Sequence, residues 1–385
     1  METRQPEGLV LLVDDEPNIL SALRRELQAW AAVRGLACQP FSAASEALSF
    51  LETEAGRVAI IISDLRMPGM KGSDFLLAVK ARWPDIPTIL LSGFSEAEEL
   101  MKAVKAGIFS YVLKPWDADY LRTEIAKALE LRSARDANRA YEKLLADELG
   151  WAGQFQRAFL RPSCPAPEGM EFQVSWRPLE SLQCGGDYYD LIDLGGRRYL
   201  AMIGDVAGHG IKAAFVTGFL KVMIYSEYVL SRRGSAFSPA ALLGWLNDRV
   251  AFEFRQSAEL LITLFCAVVD LGAMRLIYAN AGHNTPILLR NGEALSLRTS
   301  GPALGFTSPL DFEEAESPLA AGDCLMLYTD GLVESPGPGR NLDAGSLALR
   351  VPYGPEFAFR IVAESLKLSG TAGFTDDVTV AALRL

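Results

Sequence analysis

Five short apolar runs, separated by segments of helical period, constrain the fold of the first third of this 385-residue chain. The runs are LVLLV (9–13), LACQPF (36–41), VAIIIS (58–63), IPTILLS (86–92) and FSYVL (109–113). Their length and β-branched content are typical of strands that are buried on both faces, as in a parallel sheet. Because helical segments alternate with them, the sequence predicts a doubly wound, five-stranded parallel sheet.

Polar residues follow four of these strands at the edge where such a sheet forms its crevice. They are Asp14 and Asp15 after the first strand, Asp64 after the third, Ser92 after the fourth and Lys114 after the fifth. Since the carboxyl ends of parallel strands meet at one edge, we expect these side chains to converge. Several carboxylates held together favour a hard divalent cation, so the sequence predicts a metal site there.

Residues 117–149 contain neither glycine nor proline, which predicts one continuous helix about 50 Å long. Its middle, 132–139, is polar, and apolar spacing returns at Tyr141, Leu144, Leu145 and Leu149. A helix of this kind either bridges two domains in solvent or pairs with a copy of itself. Both interpretations stay open.

A proline-rich stretch, 161–169, marks a change in the pattern of apolar and polar residues. Beyond it, short strand candidates recur at 171–177, 197–204, 260–270, 274–280, 285–290, 323–329 and 378–385, and two helices are expected near 211–231 and 239–256. Several of the strands are joined as hairpins, as at 271–273. The pattern therefore predicts stacked antiparallel sheets flanked by helices.

Four aspartates of this second half each lie at a strand end or a tight turn. They are Asp187 in GGDYYD, Asp205 in GDVAGHG, Asp330 in YTDGLVE and Asp376 in TDDVTV, where Asp377 follows directly. Carboxylates without matching lysines or arginines need a counter-charge, and one or two hard divalent cations supply it. A two-metal centre is a standard device for hydrolysing phosphate esters.

Composition excludes several classes of function. The net charge of −11 disfavours nucleic acid as a partner. The apolar runs 9–13 and 58–62 are too short to cross a bilayer, and METRQPEG at the start lacks the pattern of a secretory signal. The five cysteines form no CxxC pair, which is typical of reduced thiols. We expect an acidic cytoplasmic protein that binds no membrane.

The motifs VDDEP (13–17), SDLRMPGM (63–70), LSG (91–93) and YVLKP (111–115) resemble the receiver domain of two-component response regulators. The resemblance implies a flavodoxin-like fold in which Asp64 accepts a phosphoryl group from a sensor histidine kinase. It further implies that Mg²⁺ is held by Asp14, Asp15, Asp64 and the backbone carbonyl of Arg66. Lys114 would neutralise the developing charge, Ser92 would donate to the phosphoryl oxygens, and Tyr111 would rotate inward as the switch.

The segment from about 170 onward resembles the PPM-type, protein phosphatase 2C-like serine/threonine phosphatases, in particular the bacterial branch of sporulation protein E and the stress-response regulators of sigma factors. The motifs are GGDYYD (185–190), GDVAGHG (204–210), TLF (263–265), YANAGHNTPILL (278–289), GDCLMLYTDGLVE (322–334) and TDDVTV (375–380). The resemblance implies two Mn²⁺ or Mg²⁺ ions and water as the nucleophile. The implied ligands are Asp187, Asp205, the carbonyl of Val206, Asp330 and Asp376, with Asp377, His209 and His283 as further candidates.

These resemblances divide the chain into a receiver domain (1–130), a helical linker and possible dimerisation helix (131–165) and a PPM phosphatase domain (166–385). They imply a phosphatase, controlled at Asp64, that acts on a phosphorylated protein such as an anti-sigma factor antagonist. A non-catalytic adaptor that binds a sigma-factor regulatory partner is the alternative. A diguanylate cyclase is disfavoured because GGD continues as Tyr-Tyr, and a DNA-binding output is disfavoured by the acidity.

Overall fold

The computed structural model describes residues 8–93, 101, 104–105, 107–232, 234–255, 260–305, 308–334, 342–371 and 373–385. The chain divides into two compact units, Met1–Leu144 and Leu145–Leu385, called here the N-terminal and the C-terminal unit. Residues 1–7, on which part of the expectation about secretion depends, lie outside the described residues. So does most of the helical segment expected before the fifth strand.

The sheet of the N-terminal unit has the predicted strands and is parallel throughout. Its strands are β1 (Gly8–Val13), β2 (Leu36–Phe41), β3 (Val58–Asp64), β4 (Thr88–Ser92) and β5 (Ser110–Leu113). Their order in the sheet is β2-β1-β3-β4-β5, and each neighbouring pair is parallel. The doubly wound, five-stranded parallel sheet predicted from the apolar runs is therefore confirmed.

Helices cover both faces of this sheet, which explains why its strands are apolar without interruption. The helices are α1 (Pro17–Ala32), α2 (Ala44–Glu54), α3 (Gly72–Arg82) and the beginning of α4 (Ala118–Phe159). Along β1, Leu11 is in one core cluster with Phe75, and Leu12 is in the other cluster with Leu23. All four of these side chains are fully buried. Successive residues of the strand thus belong to different cores.

The end predicted for the long helix is wrong, because α4 continues to Phe159 and not to Leu149. The prediction stopped at the first glycine of a pair, Gly150 and Gly153. Glycine inside a helix costs about 1 kcal/mol relative to alanine, but packing can override that propensity. A Cβ on Gly153 would lie 2.3 Å from the carbonyl oxygen of Gln183, so the helix can pass this backbone only without a side chain.

Two antiparallel sheets form the centre of the C-terminal unit. The first has the order β13-β10-β9-β8-β7 and the second β12-β11-β14-β15-β6. Their strands are β6 (Glu171–Arg177), β7 (Asp187–Gly195), β8 (Arg198–Val206), β9 (Ile262–Asp270), β10 (Arg275–Ala281), β11 (Ile287–Arg290), β12 (Glu293–Ser296), β13 (Glu314–Pro318), β14 (Cys324–Tyr328) and β15 (Val378–Arg384). The predicted antiparallel sandwich is confirmed.

Helices lie outside each sheet and produce four layers. They are α5 (Ile211–Val222), continued by a π-helical stretch Met223–Val229 and by Leu230–Arg232, then α6 (Pro239–Glu253), α7 (Ala344–Arg350) and α8 (Phe357–Ser369). One core cluster lies between the sheets and includes Phe265 and Leu327. Two further clusters join α5 and α6 to the first sheet and α7 and α8 to the second.

The segment Ile211–Arg232 is long and apolar enough to span a membrane, judged by length and composition alone. However, 44% of its most apolar window is buried inside the protein, and Leu220 and Ile224 are fully buried in the core of the first sheet. A core helix of a folded domain passes the same test. The five cysteines are free thiols, as expected.

Candidate phosphoacceptor and metal sites

The polar residues at the strand ends of the N-terminal unit meet as predicted. Oxygens of Asp14, Asp15 and Asp64 lie within 4.8 Å of one another. The Nζ atom of Lys114 is 2.9 Å from Oδ2 of Asp14 and 2.5 Å from Oδ1 of Asp64. Asp14 is fully buried and Asp64 is 8% exposed, so the group lies at the floor of the crevice.

Backbone contacts fix the two buried carboxylates. The amide of Glu16 donates to Oδ1 of Asp14 at 2.9 Å, and the amide of Arg66 donates to Oδ2 of Asp64 at 3.1 Å. The turn after β3 also needs Gly72, because a Cβ there would lie 1.8 Å from the carbonyl oxygen of Asp64. The carboxylates are therefore held before any ligand arrives.

Burial and neighbouring charges shift the titration of this group. Burial raises the pKa of Asp14, and its hydrogen bond from Lys114 opposes that shift only in part. Burial acts to lower the pKa of Lys114, but the hydrogen bonds and charges of Asp64 and Asp14 outweigh it and raise the pKa. The ammonium group stays protonated and can offset part of the negative charge of an incoming phosphoryl group.

Ser92 has the properties that a ligand contact would require. Its side chain is 1% exposed, and its Oγ atom has no hydrogen-bond partner among the described residues. A buried hydroxyl without a partner is costly unless a ligand provides one. Its carbonyl oxygen accepts from the amide of Lys114 at 2.8 Å, which places the two predicted residues side by side. Tyr111, the predicted switch, is 43% exposed.

A hard divalent cation fits these carboxylates, because oxygen ligands in a compact group are what Mg²⁺ prefers. Asp14, Asp15 and Asp64 would hold it. Their roles, and that of the carbonyl of Arg66, remain predictions.

The four aspartates of the C-terminal unit come from both sheets. Asp187 begins β7 and lies directly opposite Asp205, near the end of β8, in the antiparallel register. Asp330 opens the short turn Asp330–Leu332 after β14, and Asp376 precedes β15, whose neighbour in the second sheet is β14. The strands thus deliver two carboxylates from each sheet toward one end of the sandwich.

Two threonines tie these sheet ends together. Oγ1 of Thr329 and Oγ1 of Thr379 donate to the same atom, Oδ2 of Asp187, at 3.0 and 2.6 Å. The amide of Thr379 in turn donates to Oγ1 of Thr329 at 2.9 Å. Asp187 is 1% exposed, and both hydroxyls that hold its carboxylate come from the opposite sheet. Sequence reasoning missed both threonines, although each stands inside a motif that it had selected.

Asp377 holds the loop that leads to β7. Its Oδ2 accepts from the amide of Gly186 and its Oδ1 from the amide of Leu179, both at 2.7 Å. A Cβ on Gly185 would lie 2.0 Å from Oδ2 of Asp377, so this close approach requires glycine. Since a backbone amide already binds each oxygen, the structure gives Asp377 a positioning contact.

Like charges and burial raise the pKa values of the candidate ligands. Burial and the charges of Asp330 and Asp376 raise the pKa of Asp205 to about 7. Burial, with the charge of Asp205, raises the pKa of Asp187 well above its usual range. Burial and the charge of Asp376 also raise the pKa of Asp330. Carboxylates that repel one another in this way are suited to a bound cation, which reverses the direction of the shift.

The spread of these carboxylates distinguishes the two sites. Among the described residues, the group in the N-terminal unit is the one where three acidic side chains place oxygens within 4.8 Å. The C-terminal aspartates form no such group. A two-ion centre does not need one, because ions about 4 Å apart take ligands from opposite sides. The donor set, carboxylates with a backbone carbonyl at Val206, fits hard cations.

The two histidines differ in their surroundings. His283 is buried, and its ring nitrogens lie 2.8 Å from Oγ1 of Thr263 and 3.2 Å from the carbonyl oxygen of Tyr328. Burial lowers its pKa to about 4, so the ring is neutral at pH 7. Asn280 closes the turn through hydrogen bonds with the His283 backbone. His209 is exposed in the loop before α5.

Gln156, near the end of α4, contacts the loop beside Asp187. Its Nε2 donates to the carbonyl oxygen of Gly185 at 2.7 Å and to Oγ1 of Thr217 at 3.0 Å. The amide of Gly185 donates back to its Oε1 at 3.0 Å. Nothing in the sequence signals this residue, because an isolated glutamine in a helix is ordinary.

Comparison with known proteins assigns both units. Residues 10–126 match the response regulator receiver domain, and residues 195–385 match the family of Stage II sporulation protein E (SpoIIE). The second match includes Asp205, Asp330 and Asp376 and begins after Asp187. The SiaA-PP2C domain of Pseudomonas aeruginosa has a similar structure, with a TM-score of 0.55 and 26% identity, covering 64% of this chain and 99% of that one.

The relatives found by sequence comparison match the N-terminal part of this chain. The hydrogenase transcriptional regulatory protein HoxA of Cupriavidus necator is 39% identical over 125 residues, which cover 32% of this chain and 24% of that protein. The DNA-binding transcriptional regulator NtrC of Klebsiella pneumoniae is 31% identical over 154 residues, covering 40% and 32%. The chain thus spans between about a quarter and a third of the length of these relatives.

The fold and these matches define a signalling protein of two domains. This chain joins a response regulator receiver domain to a SpoIIE-type PPM phosphatase domain.

Proposed function

We propose that this protein is a phosphorylation-regulated protein serine/threonine phosphatase of a bacterial two-component pathway. A sensor histidine kinase would supply the phosphoryl group to Asp64, and the C-terminal unit would hydrolyse phosphoserine or phosphothreonine on a protein, such as an anti-sigma factor antagonist. The observation that carries the proposal is the convergence of Asp187, Asp205, Asp330 and Asp376 from two sheets, with raised pKa values for the first three. We also propose a cytoplasmic location.

In the receiver, the chain's own groups account for the transfer step. Asp64 would attack phosphorus, and Lys114, already 2.5 Å from its carboxylate, would balance the charge that develops. The hydroxyl of Ser92, for which the described part of the chain offers no partner, would donate to a phosphoryl oxygen. Mg²⁺ held by Asp14, Asp15 and Asp64 would neutralise the remaining charge.

In the phosphatase unit, Asp187, Asp205, Asp330 and Asp376, with the carbonyl of Val206, would hold two Mn²⁺ or Mg²⁺ ions. These ions would make a water molecule nucleophilic and stabilise the phosphoryl oxygens. Thr329 and Thr379 keep the buried Asp187 oriented. Asp377 holds the adjacent loop through Gly186 and Leu179. The domain limits that we propose are 1–130 for the receiver, 131–165 for the linker and 166–385 for the phosphatase.

Mutation of the aspartates tests the catalytic proposal. Purified protein with Mn²⁺ should hydrolyse p-nitrophenyl phosphate and a phosphoserine protein. Asp187→Ala and Asp330→Ala should each lower the rate at least about 100-fold, since a bound ion contributes several kcal/mol to transition-state stabilisation. Asp311→Ala, at an exposed loop residue, is the matched control and should leave the rate unchanged. Activity that survives both site substitutions would reject the two-metal assignment.

The non-catalytic adaptor is the second candidate, favoured because no three of the described C-terminal carboxylates place oxygens within 4.8 Å of one another. Electron paramagnetic resonance of added Mn²⁺ separates the two. The phosphatase requires Mn²⁺ binding that Asp187→Ala weakens, together with turnover. A wild-type protein that neither binds Mn²⁺ in its C-terminal unit nor hydrolyses either substrate would establish the adaptor.

Regulation at Asp64 has a separate test. A beryllofluoride or acetyl-phosphate treatment should change the hydrolysis rate of the wild type and leave Asp64→Ala unaffected. Equal rates for treated and untreated wild type would show that the receiver does not control the phosphatase.

A further inference from the structure

The imidazole ring of His283 joins one strand of each sheet in the C-terminal unit. Its Nε2 atom is 3.2 Å from the carbonyl oxygen of Tyr328, the last residue of β14 in the second sheet. Its Nδ1 atom is 2.8 Å from Oγ1 of Thr263, near the beginning of β9 in the first sheet. These three residues are called the His283 bridge below.

The two contacts fix which ring nitrogen carries the proton. A carbonyl oxygen can only accept a hydrogen bond, so Nε2 donates to Tyr328. Because the buried ring is neutral, Nδ1 has a lone pair and accepts from the hydroxyl of Thr263. Both nitrogens are then occupied, and the ring has none left to bind a metal ion or to give a proton to a substrate.

Each end of the His283 bridge lies beside candidate metal ligands. In the first sheet, Thr263 is directly opposite Asp205 in the antiparallel register, and Asp205 is opposite Asp187. Residues paired in this way project from the same face of a sheet, with Cβ atoms about 4.5–5.5 Å apart. In the second sheet, Tyr328 is two residues before Asp330. The bridge therefore connects the strand next to Asp205 with the strand end that presents Asp330.

A contact between the sheets is needed at this place because the ligands come from different layers. Thr329 and Thr379 hold Asp187 from the second sheet. Neither of them contacts the strand opposite Asp205, whereas the His283 bridge does. Metal ligands have to be held to within about 0.5 Å of their working geometry, and the residues behind them provide that precision.

We propose that His283 is a positioning residue of the metal centre, which sets the distance between Asp205 and Asp330 through Thr263 and Tyr328. The inference rests on the proposed function, since these carboxylates must hold metal ions for the distance to matter. It assigns His283 neither to the metal ligands nor to the proton donors. Residues that orient ligands in this way contribute about 10–100-fold to metal affinity.

The test is the affinity of the full-length chain for Mn²⁺, measured by electron paramagnetic resonance. The sites counted are those that Asp187→Ala weakens, which belong to the C-terminal unit. His283→Phe keeps an aromatic ring but removes both hydrogen bonds, and Thr263→Val removes the donor to Nδ1. Each should raise the dissociation constant for Mn²⁺ at least about tenfold. The double variant should be little weaker than His283→Phe, because both substitutions break the same bridge.

Two further variants separate hydrogen bonding from packing. His283→Gln restores one acceptor and one donor, so it should recover part of the affinity that His283→Phe loses. Thr299→Val is the matched control for Thr263→Val, because its hydroxyl donates to the carbonyl of Glu313 at an exposed position, and it should leave the affinity unchanged. Thermal unfolding of the metal-free variants verifies that each is folded.

Nitrogen-15 NMR of the metal-free wild type gives a measurement that needs neither metal nor activity. It should show the proton of His283 on Nε2, as the contact with the carbonyl oxygen of Tyr328 requires. A proton on Nδ1 would overturn the proposal, because the ring could then not donate to β14.

Two outcomes of the Mn²⁺ measurement would also overturn it. One is an unchanged affinity in His283→Phe, even if that variant unfolds at a lower temperature, which would leave His283 a packing role only. The other is a His283→Gln variant as weak as His283→Phe, which would show that the hydrogen bonds are not the cause. Either result leaves the proposed function standing. A wild-type chain that binds no Mn²⁺ in its C-terminal unit would reject both.

Discussion

Gln156 gives the sharpest test of how α4 supports the phosphatase site. Its side chain is 3% exposed and makes three hydrogen bonds, two of them with the backbone of Gly185. Gln156→Ala leaves the amide and the carbonyl of Gly185 buried without partners. Each orphaned group costs about 1–3 kcal/mol. Thr217 keeps its hydrogen bond to the carbonyl of Ala214 at 2.8 Å, so the loss of its contact with Gln156 adds little to the cost of the substitution.

We therefore expect a loss of about 3 kcal/mol in the local stability of the 183–187 loop. Because 1.4 kcal/mol is a factor of ten, the amide of Gly185 should exchange with deuterium about 100-fold faster. Hydrogen-exchange mass spectrometry of a peptide that covers this loop measures the effect. A local readout is appropriate because a chain of two units need not unfold in two states.

Gln154→Ala is the matched control, since Gln154 is exposed on the same helix. It should leave the exchange of Gly185 unchanged. Gln156→Glu keeps an acceptor for the Gly185 amide but places a buried negative charge against its carbonyl oxygen, so exchange of the Gly185 amide should be at least as fast as in Gln156→Ala. Exchange in Gln156→Ala within twofold of wild type would refute the role given to these hydrogen bonds.

Three further substitutions test other contacts. Gly72→Ala should destabilise the receiver by about 1–3 kcal/mol in urea unfolding, because its Cβ would lie 1.8 Å from a carbonyl oxygen, whereas Gly56→Ala, with nothing within 4 Å, should be neutral. Burial acts to raise the pKa of Asp323, but its hydrogen bonds from Arg290 outweigh burial and lower it. The Arg290–Asp323 pair therefore stabilises the fold above the pKa that Asp323 has in the unfolded chain. This stabilisation is lost as the pH falls through the pKa of Asp323 in the folded protein. Asp323→Asn should lower the free energy of unfolding by about 2 kcal/mol at pH 7. A loss of the same size below about pH 4 would contradict a charge effect. Thr379→Val removes the 2.6 Å hydrogen bond to the buried carboxylate of β7 and should weaken Mn²⁺ binding about tenfold, as measured by electron paramagnetic resonance.

The receiver fold could be predicted from the sequence because its strands are buried on both faces. An apolar run such as 58–63 has few alternatives once helical segments flank it. The convergence of Asp14, Asp64 and Lys114 followed from sheet topology, which fixes where strand ends meet. These predictions needed no knowledge of side-chain packing.

Three strands of the C-terminal unit were not predicted, for physical reasons. β7 carries aspartates at positions 187, 190 and 193, so its composition resembles a loop. Asp190 is nevertheless fully buried, where it accepts from Ser163 and pairs with Lys221. The other two, β12 and β13, are short polar strands at sheet edges.

Helices α7 and α8 were also missed, and contacts between distant residues escaped sequence reasoning in general. The hydrogen bond from Thr379 to Asp187 joins residues 192 positions apart. That of Gln156 joins α4 to a loop 29 positions away. Neither is encoded in a local pattern, because each depends on how the layers pack.

The two hydroxyls that converge on Asp187 limit how the two sheets can move relative to each other. They hydrogen-bond a carboxylate of one sheet to neighbouring strands of the other. Sliding the sheets apart would break both hydrogen bonds at once, so the two sheets are held in a fixed position at this end of the sandwich. The turn that begins at Val206 is also held, because the amide of Val206 donates to the carbonyl of Gly186 at 3.1 Å and the amide of Ala207 donates to the carbonyl of Leu261 at 2.8 Å. Movement at the start of β7 would therefore disturb Asp187 and this turn together.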